Sequence, residues 1–335
     1  MPSGLSATTL TLAARLDAGV PLRVHVARAE HAGSARLQTI GPREHVELIE
    51  RATSSRLYRD EVALYADAGR TVVPPELRDD PEAVGAATRG PLRLLEAGDI
   101  QGLVHCHTTW SDGRHSVADM VRAAEALGMR YLTITDHSPT ASYANGVGLD
   151  RIERQWEEIA RVQETTKVRI LRGAESDILE DGALDYPDVI LERLDVVIAS
   201  IHNRHGQDEA AMTRRLVRAM RHPVRKIWGH PLGRLLLRRP PVPVRFDEVL
   251  DAIVESGVIV ELNGDPNRMD LPAERAREAR RRGVRFVASV DAHAAHETRY
   301  LAGAITLARR AGLGPGDVVN TLDAEGFMAA VRPTG

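Results

Sequence analysis

Ten of the 13 histidines in this 335-residue chain lie beyond residue 100, and several stand beside carboxylates at the downstream ends of short apolar runs. His105 and His107 flank Cys106, Asp136 and His137 follow the next run, and Glu175, His202, His230 and Asn263 close four more. Asp291 closes the last run, with His293 two residues on. Neutral imidazoles mixed with carboxylates suit Zn, Mn or Fe, and a carboxylate such as Glu175 can bridge two ions. The chemistry open to such a set is hydrolysis, because bound divalent ions acidify water and neutralise developing negative charge. Two-residue spacing sends His105 and His107 to one face of a strand and Cys106 to the other, so the thiol reads as packing.

Positioning these groups requires the elements that carry them. Apolar runs of strand length occupy 103–107, 130–135, 168–175, 194–202, 226–230, 258–263 and 284–291. Amphipathic segments separate them; in the first, Ser116 can N-cap with Asp119 closing a capping box, and Gly128 marks the stop. Seven strand–helix alternations predict a parallel α/β architecture, an open doubly wound sheet or a closed barrel. Either fold gathers the C-terminal ends of its strands around one mouth. A single histidine at a strand end is weak evidence, and His115, His205, His222 and His296 read as structural or surface residues. A full register of ligand types at successive strand ends is strong evidence. Upstream, an apolar strand (21–26) and a helix (43–52) predict a small α/β appendage over residues 1–75. The three prolines of 72–90 predict a linker over 76–98, leaving 99–335 as the main domain. The appendage is too short for a large core and is expected to pack on the barrel.

Composition removes other classes. With a net charge of −3, the chain is no bulk polycation, so any nucleic-acid contact must come from a local patch. The single cysteine forbids an internal disulfide. No apolar run approaches the ~18 residues of a membrane span and no leader pattern opens the sequence, so a cytoplasmic protein without membrane contact is expected. Of the 44 basic residues only Lys167 and Lys226 are lysine. Arg238, Arg239 and Arg245 would attract a nucleic-acid backbone if they border the mouth. The run 275–285 reads as a solvated helix face, since Glu274 and Glu278 interleave with it at helical spacing.

Taken in order, HCHTTWSDG (105–113), TDHS (135–138), GAESDIL (173–179), ASIH (199–202), GHPLGR (229–234), ELN (261–263) and VDAH (290–293) resemble the motifs of the polymerase and histidinol phosphatase (PHP) family. DGALDYPDVILERLDVVIASIH and GHPLGRLLLRRPP are similar to the PHP domain of bacterial family X DNA polymerases. The resemblance implies a distorted seven-stranded (β/α)7 barrel holding up to three divalent ions, Zn, Mn or Fe. It implies a first ion on His105, His107, Glu175 and Asp291. A second would share Glu175 and take His202 and His230, and a third would use Asp112, His137 and His293. Glu175, His107 and Asp291 would then form the catalytic core. Arg234 is the candidate phosphate clamp, and Asn263 the candidate for orienting substrate or a metal-bound water.

GPREHVELIERA (41–52) and RTVVPPELRDD (70–80) are similar to the end of the polymerase module of that branch. Its nucleotide-transfer residues find no place upstream, so no polymerase activity is expected. The implied function is a metal-dependent phosphoesterase acting on DNA 3′ ends, as a 3′–5′ exonuclease or 3′-phosphatase. The alternative is a small-molecule phosphatase of histidinol-phosphate or nucleotide type, with small phosphoesters in place of DNA ends. A non-catalytic accessory protein is a third reading, disfavoured because a buried ligand set without metal would carry a desolvation penalty. That third reading would bind DNA or a polymerase through residues 1–100; protein partners are otherwise left unknown.

Overall fold

The structure, a computed structural model, describes residues 9–17, 19–55 and 57–332. It divides into two compact units, one ending at Arg93 and the other beginning at Leu94. In the first, β1 (Thr9–Arg15) pairs antiparallel with β2 (Pro21–Ala27), placing Leu10 opposite Val26 and Leu12 opposite Val24. Helices Ala32–Ile40, Arg43–Ala52, Glu61–Asp67 and Pro81–Ala86 follow. They bury Leu37, Ile49, Leu64, Tyr65, Val73 and Leu77. The stretch expected to be a linker is folded: Asp80 caps the Pro81–Ala86 helix through the backbone N–H of Glu82, and Val84 is buried. Its prolines start a turn and a helix, where a missing N–H does no harm, instead of loosening the chain.

The second unit contains seven strands: β3 (Gly102–Cys106), β4 (Tyr131–Ile134), β5 (Arg169–Asp177), β6 (Val196–Ser200), β7 (Lys226–Trp228), β8 (Ile259–Asn263) and β9 (Phe286–Ser289). Each pairs in parallel with the next. The last strand returns to the first: Val290 N–H donates to the Val104 carbonyl (3.3 Å), and His107 N–H to the Ala292 carbonyl (2.9 Å). A nearly closed barrel of seven parallel strands results, wrapped by helices. Of the two architectures the alternation allows, the barrel is the one found. No helix among the described residues is long and apolar enough to cross a membrane.

Strands covered on both faces are apolar throughout, which is why these segments read as continuous runs. Outward residues such as Leu103, Cys106, Ile134, Val197 and Val260 meet the surrounding helices in the larger core. Inward residues form a second cluster of Val104, Tyr131, Leu171, Val196, Ile198, Ile227, Ile259 and Val287, filled by Phe327 of the helix Ala324–Ala330. Period-two alternation then carries the inward face up to the ionisable groups. Leu171 leads through Gly173 to Glu175, Ile259 to Glu261 and Asn263, and Val287 through Ser289 to Asp291. Gly229 shows how tight this upper layer is, because a Cβ there would lie 2.2 Å from Ser200 Oγ.

Simple alternation does not account for His105. The β3–β4 register shifts between Leu103 and Cys106, and His105 adopts φ = +68°. His230 (φ +23°) and Asp291 (φ +49°), just past β7 and β9, also lie in left-handed backbone. Non-glycine residues held there are strained by roughly 1–3 kcal/mol and concentrate at functional sites.

Candidate metal centre

Glu175, at the upper end of β5, is the hub. Its Oε1 lies 2.8 Å from His230 Nε2, 3.2 Å from His202 Nε2 and 3.3 Å from His105 Nε2. Its Oε2 lies 3.0 Å from His137 Nδ1 and 3.5 Å from His107 Nε2. Asp291 Oδ1 approaches His107 Nε2 (3.4 Å) and His105 Nε2 (3.5 Å). Asp112 Oδ1 lies 3.4 Å from His293 Nε2 and 3.6 Å from His137 Nε2. Six segments far apart in sequence thus bring all nine ligand-type residues to one place. Three sets have donor atoms within 4.8 Å of one another: His107, Asp112, His137 and His293; His105, His107 and Glu175; His137, Glu175 and His202. The centre runs from the fully buried His105 to Asp112 and His293, whose side chains are about a third exposed at 34% and 31%.

These residues fit divalent ions. Nε2 of His105 and His202, both ring nitrogens of His107, Nδ1 of His137 and His230, and Oε2 of Glu175 are buried without a hydrogen-bond partner among the described residues. Each such orphan costs roughly 1–3 kcal/mol in a dry interior, which coordination to a cation would offset. Supporting contacts aim the rings. His105 Nδ1 lies 2.6 Å from Glu261 Oε1, His202 Nδ1 2.5 Å from Asp177 Oδ1, and His293 Nδ1 3.0 Å from the Asp291 carbonyl. A ring nitrogen tied to a carboxylate or carbonyl, with the other presented to the cluster, is the arrangement of metal-bound imidazoles.

Electrostatics agree. Burial pushes the Glu175 carboxyl up, but the imidazoles of His202, His105 and His137 outweigh it and hold the group well below the usual range. Asp291 is also held low, against burial, by His105, His107 and Arg268. Burial, with His293 and His137 nearby, pulls His107 down to about 3, leaving a neutral ring. For His202, burial is overcome by Glu175 and Asp177, which raise it to about 10; an incoming cation would displace that proton.

Two expected roles need correction. Asn263 is fully buried: its Nδ2 donates to Glu261 Oε2 (3.1 Å) and Asp291 Oδ2 (3.2 Å), and its Oδ1 accepts from Asp265 N–H (3.0 Å). It therefore aligns two carboxylates instead of facing substrate. Arg234 donates through Nε to the Arg268 carbonyl (2.9 Å) and through Nη2 to the Met269 carbonyl, so its fork holds a loop. The arginine at the cluster is Arg268, with Nε 3.1 Å from Asp291 Oδ2 and a buried Nη1 without a hydrogen-bond partner among the described residues.

Glu261 was also missed. Besides His105 it accepts from Ser289 Oγ (2.5 Å) and from the His230 N–H. Its position two residues before Asn263, and so on the same strand face, was the available signal. Asp136, by contrast, turns away from its neighbour His137. It accepts from Thr108 N–H (2.7 Å), Ser111 Oγ (2.6 Å) and Gln155 Nε2 (2.7 Å), shaping the loop that carries Asp112.

Residues 104–265 match the PHP domain family. The chain is 35% identical over 277 residues to the DNA polymerase/3′-5′ exonuclease PolX of Bacillus subtilis, covering 82% of this chain and 48% of that protein. It thus spans about half the length of that relative. A probable phosphatase of Acetivibrio thermocellus is 31% identical over 205 residues, covering 58% of this chain and 79% of the phosphatase. Among solved structures, a histidinol phosphate phosphatase from Lactococcus lactis, complexed with zinc, L-histidinol and phosphate, matches with a TM-score of 0.46 at 19% identity. That match covers 64% of this chain and 94% of the other. A seven-stranded parallel barrel, an imidazole–carboxylate cluster at its mouth, the match to the PHP domain family and the likeness to the PolX and A. thermocellus sequences lead to one assignment: the chain belongs to the PHP family of metal-dependent phosphoesterases.

Proposed function

We propose that this phosphoesterase acts at DNA 3′ ends, as a 3′–5′ exonuclease or 3′-phosphatase. The observation that carries this reading is the extent of the likeness to PolX. It covers 82% of the chain, more than the barrel unit alone, and so includes part of the N-terminal unit. The likeness to the A. thermocellus phosphatase covers 58%. The second reading, a small-molecule phosphatase, draws its support from that relative, 79% of whose length is matched.

His105, His107, Glu175 and Asp291 would hold one ion, Glu175 with His202 and His230 a second, and Asp112, His137 and His293 a third. His107 and His137 each belong to two of the sets the geometry groups, so neighbouring sites are expected to share them. Bound ions supply an activated water and neutralise phosphoryl oxygens. The chain's own part is placement. Glu175 and Asp291 stay ionised in a buried site, Glu261 and Asp177 fix the rings of His105 and His202, and Asn263 and Arg268 orient Asp291. The Nη1 of Arg268 is the donor available to a phosphoryl oxygen.

Hydrolysis by purified protein with Mn²⁺ or Zn²⁺ tests this, comparing a 3′-labelled single-stranded oligonucleotide with small phosphomonoesters and using His107→Ala as control. Stepwise loss of 3′ nucleotides, or release of a 3′-terminal phosphate, absent from the control, is the expected result. Turnover of small phosphates alone would replace the DNA-end reading with the second.

A further inference from the structure

Among the described residues, Tyr143 is the only aromatic side chain left largely in solvent, at 66% exposure. It stands beside the metal centre, its ring centroid 6.2 Å from that of His137 and 6.4 Å from that of His202. The backbone beneath it is tied down. Ala141 and Ala144 are buried on either side, and Ala141 N–H and Gly146 N–H donate to the Ser138 and Ala141 carbonyls (both 3.1 Å). Thr140 N–H donates to Asp185 Oδ2 (2.7 Å), and Arg151 Nη1 to the Asn145 carbonyl (3.1 Å). A Cβ on Gly146 would fall 2.0 Å from the Ser138 carbonyl oxygen, so the turn is closely packed. A ring held in water on an ordered turn forgoes the burial that aromatic side chains ordinarily gain. It is also preorganised to meet a flat ligand.

We propose that Tyr143 is the stacking platform for the base of the nucleotide whose phosphate enters the metal centre, and so a specificity-determining residue. The inference rests on the DNA-end reading and deepens it. A ring adjoining two candidate ligand imidazoles lies beside the phosphate position, where a terminal nucleotide must place its base. Stacking accepts every base because each has a π face, which suits an enzyme that removes successive nucleotides of any sequence. The ring face is the useful part of the residue.

Steady-state kinetics with Mn²⁺ would compare wild type, Tyr143→Phe and Tyr143→Ala on oligonucleotides ending in a normal 3′ nucleotide or a baseless tetrahydrofuran residue. Wild type and Tyr143→Phe should show a KM roughly tenfold lower for the base-bearing end, the scale of one stacked base. Tyr143→Ala should lose that preference through KM, with kcat for the base-bearing end changed much less. Equal discrimination by Tyr143→Ala and wild type, or a fall in kcat at unchanged KM, would overturn the proposal. Calorimetric titration of the Mn²⁺-loaded protein with AMP and ribose 5-phosphate separates this outcome from failure of the DNA-end reading. If wild type neither shortens an oligonucleotide nor releases a 3′-terminal phosphate from one, that reading falls. The platform then stands only if AMP binds more tightly than ribose 5-phosphate to wild type and not to Tyr143→Ala, and is lost if the two ligands bind alike.

Discussion

The lower and upper halves of the barrel interior are built from the same strands and answer to different demands. Below, Val104, Leu171, Val196, Ile198, Ile227, Ile259 and Val287 close around Phe327 in a layer that is apolar but for the hydroxyl of Tyr131. One or two inward steps higher stand Glu175, Glu261 and Asp291, with orphaned imidazole nitrogens between them and left-handed backbone at His105, His230 and Asp291. The lower layer gains from leaving water, and the upper one is unfavourable until cations enter it. This division explains why a barrel carries its chemistry at one end and its stability at the other.

Substitutions can break the comparison. Phe327→Ala should lower stability by about 3–5 kcal/mol, read from denaturant melts, while the metal affinity of the folded fraction stays near wild type. An equal loss of metal binding would show that the layers are not separable. Glu175→Gln should act in reverse. Its metal affinity should fall by more than about 100-fold, above the range for supporting residues, with stability of the metal-free chain changed far less. Glu261→Gln, one shell out, should lose about 10–100-fold in metal affinity, measured by competition with a chelating dye.

A further prediction concerns pH. In metal-free protein His202, with its pKa raised to about 10 against an ordinary 6.5, contributes stability that is complete below about pH 6.5 and lost as pH rises through 10. His107, lowered to about 3, has the opposite sign: its contribution is present above 6.5 and lost as pH falls towards 3. His202→Gln should therefore flatten the alkaline side of the stability–pH curve by less than one proton's slope. Phe327→Ala should lower the whole curve without changing its shape.

Much of the barrel was legible because strands buried on both faces must be apolar throughout, and the alternation of such runs with amphipathic segments leaves few architectures. The ligand types were legible because they fall at strand ends. What escaped depends on irregular backbone. No spacing rule anticipates the register shift at His105. Nor could spacing show that the loop after β8 turns Arg268 inward and occupies Arg234 with its carbonyls. The strand β1 was also unread. Its alternating residues lie on an exposed two-stranded pair, so no continuous apolar run marks it. In the stretch 72–90 prolines suggested a break, whereas Asp80 and buried Val73, Leu77 and Val84 make it part of a fold.

The line along which the barrel closes has a consequence of its own. Val104 and His107 on one side and Val290 and Ala292 on the other join parts of the chain separated by just over half its length. The same line divides the residues that would share an ion, with His105 and His107 on the early side and Asp291 and His293 on the late side. A cation held there works as a clasp between the beginning and end of the barrel. Its removal should loosen the amide protons of His107 and Val290 before those of β5 and β6, so that hydrogen exchange would watch the cylinder come undone at its fastening.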